Sequence, residues 1–107
     1  MSTIITDENF DREIQSSGQF VLVDFFATWC GPCSVFAPIL EKVAEDLKGK
    51  IVLIKAELDN IPITAQKFGI DRIPAVILFK DGKPVSGLVG LRTEDFIKEW
   101  VENIIKK

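Results

Sequence analysis

The sequence predicts an α/β fold, in which strands alternate with helices and then close with a hairpin and a last helix. Three observations carry this. Residues 20–27 and 51–58 are apolar on both alternating faces, as in strands covered by helices on each side of a sheet. Between them, Phe36, Ile39, Leu40, Val43 and Leu47 recur at helical spacing. Later, Asp81-Gly82 separates two strand-like runs and is a two-residue hairpin signal. A chain of 107 residues can bury one core but not two, so a single domain over 1–107 is expected.

Taken in order, Thr3-Ile4-Ile5 can form only a brief strand. Thr6 followed by Asp7-Glu8 reads as a helix start, a hydroxyl cap with acids in the first turn. Phe10 and Ile14 give that helix an i, i+4 stripe, and Ser16-Ser17-Gly18 ends it. In the strand at 20–27, Asp24 shares a face with Leu22 and Phe26, so it does not simply point to water. A carboxylate placed there must pair or take a raised pKa. From Pro32 a helix begins, with the proline in the first turn where its missing N–H is harmless. Pro38 is expected to kink it, and Lys48-Gly49-Lys50 closes it. The strand at 51–58 should again be buried and parallel to the previous one, through a right-handed crossover. Asp59-Asn60-Ile61-Pro62 turns into a short helix ending near Phe68-Gly69. Residues 75–80 form a strand, and residues 84–90 return antiparallel to it. Thr93 caps the final helix, whose expected buried stripe is Phe96, Ile97, Trp100, Val101, Ile104 and Ile105.

Composition removes several function classes. The net charge is −3 and no Lys/Arg cluster exceeds two residues, which argues against nucleic-acid binding. No apolar run approaches the roughly 20 residues that span a bilayer, and the N-terminus lacks a signal-peptide pattern. A cytoplasmic, reducing location without membrane association is therefore expected. Histidine is absent, so any chemistry runs without imidazole. There is no glycine-rich nucleotide loop, and no cofactor is expected.

The remaining chemistry sits in Trp29-Cys30-Gly31-Pro32-Cys33, which holds both cysteines of the chain. A strand, a tight turn and a helix place Cys30 at the first exposed point of a helix N-terminus. Unpaired N–H groups and the positive end of the helix dipole favour a thiolate there. Cys33, one turn on, lies on the same face and can close a small disulfide ring. This pattern reads as a reversible dithiol/disulfide centre. A zinc site would need about four ligands, hence a dimer, and no metal is expected. The plainer alternative is a pair of small buried hydrophobes. For Asp24 the competing readings are a base near the cysteines and a structural pair with Lys55.

Trp-Cys-Gly-Pro-Cys after an Asp-bearing apolar strand, Ile73-Pro74 before a strand, the Asp81-Gly82 hairpin and the late Gly90 together resemble the thioredoxin family. The resemblance runs along essentially the whole chain. It implies that family's fold, a central five-stranded mixed sheet flanked by four helices. It further implies a protein disulfide reductase and electron carrier in cell redox homeostasis, re-reduced by a thioredoxin reductase; apart from the resemblance, a monomer is the default expectation. Carried over by position, Cys30 is the attacking thiolate and Cys33 the resolving thiol. Asp24 handles the proton of Cys33, Lys55 is the lysine beside it, and Pro74 is a cis-proline opposite the cysteines. Trp29, Gly31, Pro32, Ile73 and Gly90 form an apolar rim for a substrate backbone. Two positions depart from the family's habit: Phe26 stands where Trp is frequent, and Ser34 where Lys or Arg is. A thioredoxin-like module that docks one partner through the same rim, using the cysteines little, is the alternative from another class.

Overall fold

Strand β1 (Phe20–Phe26) lies inside the sheet, and in the computed structural model, which describes residues 3–15 and 18–106, the other elements are arranged around it. A short helix α1 (Phe10–Glu13) precedes it, and α2 (Gly31–Asp46) leads to β2 (Ile51–Glu57). A 3₁₀ turn at Leu58–Asn60, helix α3 (Pro62–Lys67), the strands β3 (Ala75–Lys80) and β4 (Lys83–Val89), and helix α4 (Glu94–Ile105) complete the chain. The strand order is β2-β1-β3-β4, with β2 parallel to β1 and the other two pairings antiparallel. The hairpin is the one its sequence demands, with φ of 52° at Asp81 and 78° at Gly82, the left-handed pair of a tight two-residue turn.

Alternation along β1 divides the interior in two. Val21, Val23 and Phe25 pack with Phe10, Ile14, Ile61 and Phe79 on one side. Leu22 packs on the other with Phe36, Leu40 and Val43 of α2 and Ile97 and Val101 of α4. Helix α2 continues through Pro38 as one element. The interior reading of 20–27 holds, since Val21 to Phe25 are all buried. Strand β2 is more open than its apolar run suggests, because it borders the sheet, and its Lys55 is exposed.

Other expectations are corrected. The sheet has four strands among the described residues, not five, and Thr3-Ile4-Ile5 is not a strand. Its polar groups are engaged locally instead. Asn9 Nδ2 donates to the Ile4 carbonyl at 2.8 Å, and the Thr6 N–H donates to Asn9 Oδ1 at 2.8 Å. The Asn9 N–H in turn donates to Thr6 Oγ1 at 3.3 Å, a reciprocal Thr/Asn cap that competes with strand pairing. Ile5 still enters the core. The regular helix therefore starts at Phe10, one turn after Thr6, and its expected stop at Ser16-Ser17 lies outside the described residues. On α4, Ile97 and Val101 are buried, whereas Phe96 is 48% exposed with the Arg92 guanidinium 5.6 Å from its ring centre. Trp100 is only half-buried, and its indole N–H donates to Ser86 Oγ at 3.2 Å.

Helix α3 is fastened from far away in sequence. Asp7 Oδ2 accepts from the Ile63 N–H at 3.1 Å and Oδ1 from the Thr64 N–H at 2.8 Å, capping a helix whose own N-cap, Ile61, supplies no side-chain acceptor. Burial works against ionisation of Asp7, but the hydrogen bonds from Thr64 and Ile63 hold its carboxyl below the usual carboxylate value.

Candidate active site

Strand β1 delivers the chain to Ala27, and the Cys30 N–H donates to the Ala27 carbonyl at 3.2 Å, closing the turn that precedes α2. Cys30 is the N-cap of α2, with extended backbone at φ −99° and ψ 107°. Its Sγ accepts from the Cys33 N–H at 3.2 Å. The sulfur occupies the place where a capping oxygen would stand, so the first-turn amide and the helix dipole act on it directly. Cys30 and Cys33 are joined as a disulfide, with their Cα atoms 5.3 Å apart, inside the ordinary range for that bond.

Access to the sulfurs is narrower than the sequence suggests. Cys30 is 8% exposed and Cys33 3%, so the first cysteine is tucked at the surface rather than displayed on it. Ala27 packs directly on the pair, with Phe26 and Ile73 alongside. Around them Trp29 stands out at 71% exposure, and Gly31 and Pro32 are exposed as well. The Ile73-Pro74 peptide bond is cis. The Pro74 carbonyl accepts from the Gly90 N–H at 2.8 Å, which fixes the loop after β4 beside this peptide. Gly90 has φ of 100°, a conformation side chains rarely adopt, and a Cβ there would lie 3.0 Å from the Arg92 guanidinium. Cys30, Cys33 and Ile73 thus share one packed cluster, and Gly90 joins them through Pro74.

A cleft of about 300 Å³ opens beside the disulfide, walled by Phe26, Ala27, Cys30, Cys33, Ser34 and Lys55. Ser34 adds no charge there, and its hydroxyl donates to the Gly31 carbonyl at 2.7 Å, bracing the first turn of α2. Asp24 is 1% exposed, and its Oδ1 is buried without a hydrogen-bond partner. Burial pushes its carboxyl up from the ordinary 3.8 to about 6, against the pull of Lys55 and with a further push from Glu41. An unpartnered buried acid is destabilising, and such groups gather where protons are handled.

The structural pairing of Asp24 with Lys55 does not occur. The two residues face each other across the β1/β2 register, yet Lys55 Nζ lies 3.4 Å from Glu41 Oε2 and 5.6 Å from the Phe26 ring centre. Sequence reasoning missed Glu41. The signal was present, because Cys33, Ala37 and Glu41 fall at i, i+4 and i+8 on one side of α2.

Comparison with known proteins agrees with this geometry. The sequence profile described as thioredoxin matches residues 1–103. A thioredoxin of Staphylococcus saprophyticus is 48% identical over 98 residues, covering 92% of each chain, and one of Staphylococcus haemolyticus is equally similar. A thioredoxin of Staphylococcus aureus is 45% identical over the same length and coverage. With the Cys30–Cys33 bond at the head of α2, these likenesses show that the chain belongs to the thioredoxin family of disulfide oxidoreductases.

Proposed function

We propose that the reduced protein reduces disulfides in protein substrates, with Cys30 as nucleophile, Cys33 as resolving thiol and Asp24 as proton acceptor. The observation that carries this reading is the placement of Cys30 Sγ at the N-cap of α2, under the Cys33 N–H. Once the Cys30–Cys33 bond is reduced, that position favours the Cys30 thiolate. The thiolate attacks one sulfur of the substrate, forming a mixed disulfide and releasing the other substrate sulfur as a thiolate. Cys33 then gives its proton to Asp24 and attacks Cys30 Sγ. The Cys30–Cys33 bond re-forms and the second substrate thiolate leaves, so two electrons pass from the dithiol to the substrate. Asp24 suits the proton step because a carboxyl titrating near 6 is ionised at neutral pH yet more basic than an ordinary aspartate.

Trp29, Gly31, Pro32, Ile73, Pro74 and Gly90 form the docking rim in this reading. Backbone contacts beside Ile73 would accept varied substrates with little side-chain selection. Lys55 modulates Asp24 rather than touching substrate. Re-reduction falls to a thioredoxin reductase, and the cycle needs no cofactor on this chain. The protein acts as a cytoplasmic monomer. No helix among the described residues is long and apolar enough to cross a membrane.

The test is covalent trapping. A Cys33→Ser variant cannot resolve the mixed disulfide and should accumulate adducts with a protein disulfide, seen as a mass shift that dithiothreitol reverses. A Cys30→Ser variant should form none. Adducts on Cys33 in the Cys30→Ser protein, and none in the reverse case, would exchange the two roles.

A further inference from the structure

We infer that Glu41 is a positioning residue for the proton step at Asp24, its carboxylate holding the Lys55 ammonium over the Phe26 ring and off the buried acid. This rests on the reading of Asp24 as proton acceptor for Cys33. Asp24 and Lys55 are direct partners in the parallel β1/β2 register, and strands in a sheet lie about 4.8 Å apart. The Lys55 side chain therefore begins beside Asp24 and is long enough to pair with it. It goes instead to Glu41 Oε2 at 3.4 Å, with its Nζ 5.6 Å from the Phe26 ring centre. Asp24 Oδ1 is left buried and unpartnered.

Solvation explains the choice. Pairing with buried Asp24 would strip water from the ammonium, whereas Glu41 and Lys55 keep side-chain exposures of 58% and 42%. A partially hydrated pair is weak in stability, but it fixes where the cation sits. That location matters, because a cation brought against Asp24 would make it a poorer base. Few other charges bear on the acid. Across the sheet, β3 presents Val76 opposite Asp24, and Leu22 and Phe26 share its own face of β1. Helix α2 brings Cys33 and Glu41, and β2 brings Lys55. Lys55 and Glu41 are the charges felt at the carboxyl, and they act in opposite directions. Glu41 thus supports the basicity of Asp24 twice, by its own charge and by occupying the lysine.

The experiment follows the Asp24 carboxyl directly by carbon NMR titration of the oxidised protein. It compares the wild type with Glu41→Gln, Lys55→Gln and the double variant, and reads the pH profile of disulfide reduction in parallel. Glu41 and Lys55 are both solvent-accessible, so the variants should fold. In Glu41→Gln the Asp24 midpoint should fall by about one pH unit, the size expected of a cation released toward a carboxylate. In the Lys55→Gln background, the same Glu41→Gln change should move it less than half as far. An unmoved midpoint in Glu41→Gln, or an equal fall with and without Lys55, would overturn the positioning role. Should the midpoint shift while the rate profile stays fixed, the Glu41–Lys55 coupling to Asp24 stands and Asp24 is not the proton acceptor.

Discussion

The two faces of β1 are built from alternate residues of one seven-residue strand, yet they do different things. On the face of Val21, Val23 and Phe25, the aromatic rings of Phe10, Phe68 and Phe79 meet at centroid distances of 5.4 to 5.9 Å. Tilted and edge-on contacts of this kind are favourable, and among the described residues no buried charge interrupts them. On the face of Leu22, Asp24 and Phe26, Leu22 packs closely against α2 and α4, but Asp24 buries an Oδ1 that has no hydrogen-bond partner. One face supplies cohesion. The other gives some of it up to bury a carboxyl, the group proposed above as the proton acceptor.

Breaking the cohesive face should have the largest effect. Phe79→Ala empties a fully buried aromatic site and should lower stability by about 3–5 kcal/mol in urea unfolding. Exchange rate per folded molecule should stay near wild type, and a matching loss of rate would mean that the two faces are not separable.

The converse change acts on Asp24. In the folded protein its carboxyl titrates near 6 against the ordinary 3.8, so between those values the native state binds more protons than the unfolded one. Stability therefore falls as pH rises through that window, by about 3 kcal/mol once pH exceeds about 6. Asp24→Asn should recover most of this at pH 7 and show no gain near pH 4. The same variant should slow disulfide exchange by about tenfold, less than a full general-base contribution because the cleft lets water substitute. A stability gain that does not depend on pH, or a turnover whose level and pH dependence are untouched, would remove Asp24 from its role.

The smallest expected effect lies at the periphery of the Asp24 face. Thr93 Oγ1 accepts from the Phe96 N–H at 3.1 Å and caps α4. Thr93→Ala should cost about 1 kcal/mol in urea unfolding while leaving the Asp24 titration in place. A shift in that titration would show that α4 reaches the acid.

The sequence made local structure legible wherever a few neighbouring residues decide it. The doubly apolar run of β1, the Asp81-Gly82 hairpin and the Thr93 cap were all of this kind, as was the parity that turned Asp24 inward. What escaped depended on partners far along the chain or on competition between local options. Lys55 had two acids to choose from, and its choice of Glu41 required α2 to be laid across the sheet. Thr3-Ile4-Ile5 had the composition of a strand, but the Asn9 side chain engaged the Ile4 carbonyl and the Thr6 N–H. Phe96 fitted the helical period, yet a position next to fully buried Ile97 sufficed to leave it half outside. Asp7, read as a first-turn acid of its own helix, instead caps one that begins at Pro62.

The chain has two tryptophans, and the fold gives them unlike surroundings. Trp29 stands in solvent next to Cys30, while Trp100 is half-covered on α4 and tethered to Ser86. A change at the Cys30–Cys33 bond therefore takes place beside Trp29, whereas undocking of α4 changes the surroundings of Trp100. Replacing either indole with phenylalanine leaves the other as the sole tryptophan, so the surroundings of the disulfide and of α4 can be followed one at a time.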